Sequence, residues 1–141
     1  MDMACTKQLS VGNRMIDSAH KEVFGMIDGV VHSIMARNIV ALPEEFDRLG
    51  TCLCVCFSVE ANIAQAVNFD FTQHGLAHQV LLNKFQHMKD WLIAKNGAWS
   101  ELEGDGCIDS LRNGLIRHIK EEGEPLKMVL ETHFYDFNLS G

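Results

Sequence analysis

The sequence predicts an all-α fold, an up-down-up-down four-helix bundle that follows an N-terminal arm. Apolar residues recur at three- and four-residue steps rather than alternating, and only two prolines occur among the 141 residues. With 47% hydrophobic residues, a chain of this length can build one core without staples. Residues 1–141 are therefore expected to form a single domain.

Four segments of about 20 residues carry the helical pattern, and short connections between them favour antiparallel neighbours. Facing helices of such a bundle direct their inward side chains at a shared site. The predicted elements are an arm over residues 1–15 and helices over about 16–37, 43–67, 72–95 and 108–132.

Local signals predict where these helices begin and end. Asp17 or Ser18 is a suitable N-cap for the first helix, and Pro43 suits the first turn of the second. Thr72 is a suitable N-cap for the third helix, which is expected to end at Asn96-Gly97.

Two glycine-containing stretches predict irregular backbone near the C-terminus. The stretch Glu103–Gly106 predicts a loop before the fourth helix. Within that helix, Gly123-Glu124-Pro125 predicts a kink or an irregular turn.

Charge and composition argue against several classes of partner. The net charge is −7 and the 12 Lys and Arg residues are scattered, which argues against binding of nucleic acid. The N-terminus does not resemble a secretory signal, and no apolar run approaches the roughly 20 residues that span a bilayer. We therefore expect a cytoplasmic protein without a membrane partner.

The five cysteines also favour a reducing compartment. Their number is odd, and three of them stand two residues apart in TCLCVC, where a disulfide framework makes little sense. Cys52 and Cys54 are expected to be small packed residues, while oxidation of Cys52 with its neighbour Cys56 is a second interpretation.

The most informative pattern consists of histidines and one glutamate at helical spacing. His74 and His78 are four residues apart, so both imidazoles can reach one ion, as can Cys56 and Glu60 on the preceding helix. Apolar residues that follow His78 place this face near the core rather than in solvent. A carboxylate at a core position costs several kcal/mol unless it is paired or bound to metal.

His20 and His118 occur singly, and a lone histidine beside an apolar stripe is more often structural than a ligand. Together with the two pairs, however, they predict a metal site inside the bundle. Imidazole and carboxylate ligands suit Fe, Mn, Zn or Cu, and a carboxylate among several histidines is well suited to bridging two ions.

Four ordered motifs resemble the hemerythrin family, specifically its bacterial branch, over nearly the whole chain. VGNRMIDSAHKEVFGMI resembles the family's N-terminal signature, and CFSVEANIA resembles its second-helix motif except at the first residue. HGLAH and LIRHI are similar to the motifs of the third and fourth helices.

This resemblance implies a non-haem di-iron centre, bridged by oxygen and two carboxylates, that binds O2 at one iron in an apolar pocket. Five of the seven usual ligand positions match. The resemblance assigns His74, His78 and His118 to the saturated iron, Glu60 to a bridge, His20 to the O2-binding iron, and Leu115 to the apolar pocket. Phe57 is expected to help Leu115 keep that pocket dry.

Two ligand positions depart from the family pattern. Cys56 stands in place of the second histidine on the O2-binding iron, and Gly123 in place of the second bridging aspartate. A Cys56 thiolate would be a strong ligand that favours zinc or alters the redox behaviour of iron. Glu122, four residues after His118, is a candidate substitute for the missing bridge; its other interpretation is an ordinary solvated, charged helix face.

Three classes of function remain open from the sequence. The favoured one is a hemerythrin-like non-haem iron protein that binds or senses O2 or another diatomic ligand, redox state or iron. The second is a metalloprotein with one iron or a zinc ion and no O2 carriage, and the third is a metal-free interaction module. The usual hydrolytic motifs are missing, so an enzyme is not expected, although peroxide or nitric oxide chemistry at iron is a side alternative. The sequence names no signalling partner and leaves self-association open.

Overall fold

A computed structural model describes residues 9–132, which form four helices and no strand. Each helix packs against its neighbours along the chain, and the first packs against the fourth to close the ring. The prediction of an all-α four-helix bundle is confirmed. The helices are α1 (Arg14–Ala36), α2 (Leu42–Ala66), α3 (Thr72–Lys95) and α4 (Glu101–Thr132).

The segment before α1 is fastened to the first turns of that helix. The N-cap is Asn13, whose side chain accepts a hydrogen bond from a backbone N–H of the first turn, so the predicted caps Asp17 and Ser18 are wrong. Asp17 instead accepts hydrogen bonds from the Ser10 hydroxyl at 2.5 Å and from the Val11 backbone N–H at 2.9 Å. These bonds hold Val11 against the bundle, where it is buried. The predicted arm before residue 9 lies outside the described residues.

The ends of α2 and α3 lie close to their predicted positions. Pro43 stands in the first turn of α2, as predicted. Thr72 is the first helical residue of α3 rather than its N-cap, and its backbone N–H donates to the Asp70 side chain at 3.1 Å. The helix ends at Asn96, where a left-handed φ of 51° is followed by Gly97 at 89°, which confirms the predicted break.

The predicted loop before the fourth helix is wrong, because α4 begins at Glu101 rather than near residue 108. A capping box starts it. The Glu103 backbone N–H donates to the Ser100 hydroxyl at 3.0 Å, and the Ser100 N–H donates to the Glu103 carboxylate at 2.8 Å. Gly104 lets the helix pass close to the Trp99 ring, since a Cβ there would lie 3.2 Å from it. The predicted irregular turn is not found either, because α4 continues through Gly123 and Pro125, while a kink at Pro125 stays a prediction.

Buried apolar side chains form two clusters along the bundle. The larger one fills the middle and the end near Trp99. The smaller one joins the segment before α1, the last turns of α2 and the C-terminal part of α4, through Val11, Ile16, Ile63, Ala64, Val67 and Leu126. Polar side chains that converge between the two clusters form the site described below.

The middle of α2 is nearly free of exposed charge. Contrary to the expectation from sequence, α2 is long and apolar enough to cross a membrane by length and composition, although core helices of bundles pass the same test. Its buried face packs into the bundle through Leu49 and Leu53 and also carries Glu60. Among the described residues the cysteines are free thiols, while Cys5 lies outside them.

Candidate metal centre

The Glu60 carboxylate is the centre of a buried polar cluster. Its residue is only 2% exposed. Oε1 lies 2.6 Å from His20 Nε2, and the Cys56 thiol donates to the same oxygen at 3.6 Å. Oε2 lies 2.7 Å from His74 Nε2 and 3.0 Å from His78 Nε2. One carboxylate oxygen therefore faces α1 and Cys56, and the other faces α3.

Two overlapping groups of potential ligands share Glu60. In each, the donor atoms lie within 4.8 Å of one another, and every member is buried. The rings of the three grouped histidines lie with their centroids 4.5 to 5.4 Å apart. The first group is Glu60, His74, His78 and His118, and the second is His20, Cys56 and Glu60. Six predicted site residues are thus brought together, with at least one from each helix.

Several nitrogens in this cluster are buried without a hydrogen-bond partner. Nε2 of His118 is one, and Nε2 of His74 is another, because its 2.7 Å approach to Glu60 lacks hydrogen-bond geometry. The Nδ1 atoms of His20 and His74 are unpaired as well. An unsatisfied buried polar group costs about 1–3 kcal/mol. A cation among the Nε2 atoms would remove part of this cost, so the residues present fit a metal ion.

The protonation states also suit a metal ion. Burial lowers the pKa of His118 to about 3 and lowers the pKa of His78 as well, so both imidazoles are neutral near pH 7. Burial acts to raise the pKa of Glu60, but contacts with His20, His74 and His78 outweigh it and hold that pKa well below its usual value. Neutral imidazoles and an ionised carboxylate are the forms that bind metal.

The Cys56 thiol is protonated in this environment. Burial, followed by the charge of Glu60 and the hydrogen bond to it, raises the pKa of the thiol. A thiolate at this position therefore requires a bound cation to stabilise it. Cys52 is half-buried and belongs to neither group of potential ligands.

Gly123 lies at the site, where the family pattern places a bridging carboxylate. It lines a narrow void together with His20, Glu60 and His74, and the void is too small for a water molecule. A Cβ on Gly123 would lie 3.2 Å from Val11 Cγ1. Gly123 therefore faces the ligand cluster, but Val11 occupies the space that a longer side chain would need.

Glu122 does not take over that role in this arrangement. It belongs to neither ligand group, and it lines a cleft between α3 and α4 on the outer side of His118. Its neighbour Gly123, rather than Glu122, faces the interior void.

The two residues predicted for an apolar O2 pocket lie near the site but not around its void. The Phe57 ring stacks on the His78 ring, with centroids 3.6 Å apart and planes 9° apart. Leu115 is buried in the larger core cluster. The apolar lining of the void consists instead of Val11, Ile16, Ile119 and Leu126.

Two residues of the site carried no clear signal in the sequence. Phe71 stacks on His74 with centroids 4.5 Å apart, and its place three residues before this histidine was the available clue. Val11 reaches the site because Asp17 fastens the segment before α1, which the helical pattern alone does not reveal.

Comparison of the chain with protein-family models, curated proteins and solved structures finds no match. The resemblance to hemerythrins therefore stays a prediction from the four motifs. The buried histidine and glutamate cluster, which could hold a metal ion, stands independently of it.

Proposed function

We propose that this protein is a hemerythrin-like non-haem iron protein that binds or senses O2. The proposal rests on one observation: the two oxygens of the Glu60 carboxylate contact different potential ligands. Oε1 lies near His20 and Cys56, and Oε2 lies near His74 and His78. A buried carboxylate with different imidazoles at each oxygen suits a bridge between two ions.

In this proposal the two ligand groups have different roles. His74, His78 and His118 would hold one iron together with Glu60, and His20 and Cys56 would hold a second, less fully coordinated iron. When bound, iron supplies a redox-active centre that can bind a small diatomic molecule.

The side chains around the centre exclude water and orient the ligands. Val11, Ile16, Ile119 and Leu126 keep the adjacent void dry. Phe57 and Phe71 stack on His78 and His74 and restrict rotation of these rings.

Cys56 favours sensing over carriage. Its sulfur lies 3.6 Å from Glu60 Oε1, so a thiol stands at the half of the centre that would meet O2. A thiol beside an oxidant is itself a target of oxidation, which suits a response to O2 or redox state better than repeated transport.

The first test measures iron and zinc per chain in protein made in iron-replete cells, together with optical spectra without and with O2. Two irons and charge-transfer bands that change reversibly with O2 are expected. His78→Ala should lose tight metal binding, while His87→Ala, at an exposed position of the same helix, should retain it. Equal metal content in both variants would refute the assigned ligands.

A single iron or zinc ion without O2 binding is the second candidate. It is favoured by Gly123 and Val11, because Glu60 is then the only carboxylate that lines the void among residues 9–132. The group of Glu60, His74, His78 and His118 already offers four ligands to one ion. One metal per chain and no spectral response to O2 would select this candidate, and no metal at all would exclude both.

A further inference from the structure

A cleft of about 500 Å³ lies between α3 and α4, outside the metal centre. Small and apolar residues make part of its lining, among them Ala77, Leu81 and Gly114. The remainder includes charged groups of both signs from both helices. These charged residues are Lys84, Asp109, Arg117, Glu121 and Glu122.

His118 connects this cleft to the interior. It lines the cleft on one side and the narrow void beside Glu60 on the other. The residue is only 7% exposed, and its Nε2 is buried without a partner. His118 is therefore a ligand candidate that separates solvent in the cleft from the other potential ligands.

Two carboxylates follow His118 at the distance of one helical turn. Glu121 and Glu122 come three and four residues later on α4, so they lie on the same side of the helix. Within residues 9–132 neither forms an ion pair. Their charges are thus free to attract a cation in the cleft, where low-dielectric walls strengthen the attraction.

We propose that this cleft is the route by which a divalent metal ion reaches the centre, with Glu121 and Glu122 attracting the hydrated ion and His118 as the first interior ligand. The inference rests on the proposed function only in requiring that the centre binds a metal. Carboxylate oxygens can replace water around a divalent ion one at a time, which eases its transfer to buried imidazoles.

The basic side chains of the cleft allow a second test of the route, in which a substitution should change the rate of metal uptake in the opposite direction. The Lys84 ammonium lies 3.9 Å from where a Cβ on Gly114 would be, so it stands over the cleft. Arg117 lies next to His118 and lines the same cleft. Both charges repel a cation, so their removal should accelerate uptake while removal of the carboxylates should slow it.

The experiment follows uptake of Co²⁺ by the metal-free full-length protein, using stopped-flow absorbance. Glu121→Gln/Glu122→Gln should lower the uptake rate about five- to tenfold at low salt, and Lys84→Gln/Arg117→Gln should raise it by a similar factor. Both effects should shrink near 1 M salt, where screening is nearly complete. The final Co²⁺ content should equal that of the wild type in every variant.

A matched control is available at the other end of the bundle. Glu44→Gln/Glu45→Gln removes the same charge from one exposed and one half-buried glutamate, although these two, unlike Glu121 and Glu122 among the described residues, pair with Arg48. These residues precede Glu60 on α2 by about 15 positions, or roughly 22 Å along the helix. Their loss should leave the uptake rate within about twofold of wild type.

Each result separates this inference from the proposed function. A wild-type protein that takes up no Co²⁺, iron or zinc refutes the proposed function. Normal content with equal rates in the Glu121/Glu122 and Glu44/Glu45 variants refutes the route alone. A lower final content in the Glu121/Glu122 variant also overturns it, because that result makes Glu122 a ligand.

Discussion

Replacing Gly123 with aspartate restores the carboxylate that the hemerythrin pattern would have, at a position the structure shows to be crowded. The new Cβ would lie 3.2 Å from Val11 Cγ1, so the side chains must shift. Overpacking of this kind costs about 1–3 kcal/mol. Burial of an unpaired carboxylate near Glu60 adds several kcal/mol when no metal is bound, whereas the gain in helix propensity over glycine offsets only about 0.5 kcal/mol.

We therefore expect metal-free Gly123→Asp to lose about 3 kcal/mol or more in the free energy of unfolding, measured by urea titration. Gly25→Asp is the control, because a Cβ at Gly25 meets nothing within 4 Å. It should change stability by about 0.5 kcal/mol or less, as exposed substitutions do.

A second substitution tests the cause. Val11→Ala alone should cost about 1.5 kcal/mol, at about 0.8 kcal/mol per buried carbon removed. Combined with Gly123→Asp, it should cost about 1–2 kcal/mol less than the sum of the two single effects, because it makes room for the aspartate. Strict additivity would show that Val11 does not limit this position. Saturating iron should raise the melting temperature of the double variant more than that of wild type, since the added carboxylate is a further ligand.

Three further outcomes are expected. Cys56→His should move the optical spectrum of the iron-loaded protein toward that of a di-iron centre with imidazole and carboxylate ligands, because it replaces the proposed sulfur ligand of the second iron, and no change in spectrum or iron content would contradict Cys56 as a ligand. For metal-free protein, the free energy of unfolding should fall by on the order of 1 kcal/mol per pH unit as the pH drops from about 6.5 toward 3, because the unfolded chain takes up a proton there while burial keeps the pKa of folded His118 low and its ring neutral. His118→Leu should flatten this slope in urea titrations across the pH range, and an unchanged slope would rule out His118 as its source. Leu53→Ala should cost about 2–5 kcal/mol, because Leu53 is fully buried in the larger core cluster, and a loss below about 1 kcal/mol would contradict its place there.

The helical parts of the fold were predictable because their signals are periodic and local. Pro43 and Asn96-Gly97 marked helix ends correctly. The predicted start of α4 is wrong because the glycines after Glu103 favour a loop, whereas Ser100 and Glu103, which have the spacing of a capping box, start the helix. A reciprocal pair of hydrogen bonds outweighed the low helix propensity of glycine.

The spacing of the ligand candidates in the sequence predicts that they converge, but it does not predict which other residues surround them. Each of the two pairs shares one helix face because its members are four residues apart. The pairs are His74 with His78 and Cys56 with Glu60. The position of Val11 depends on hydrogen bonds to Asp17, and that contact arises only after the chain before α1 has folded back. The location of Glu122 on the outer side of His118 depends on how α4 is rotated about its own axis within the bundle. The apolar pattern of the sequence determines this rotation only to within about one residue position.

The two stacked rings have a consequence for electron transfer. Phe57 holds His78 and Phe71 holds His74 in nearly parallel contact, so two of the four histidines of the set are fixed before any ion arrives. In the proposed iron centre, ligands fixed in this way would shift little when the bound ion changes oxidation state, which would keep the reorganisation energy low and the exchange of electrons fast. Among the described residues no ring stacks in parallel on His20 or His118, so these two histidines are less restrained than His74 and His78. We expect a structural response to oxidation to begin at these two histidines and to pass into α1 and α4.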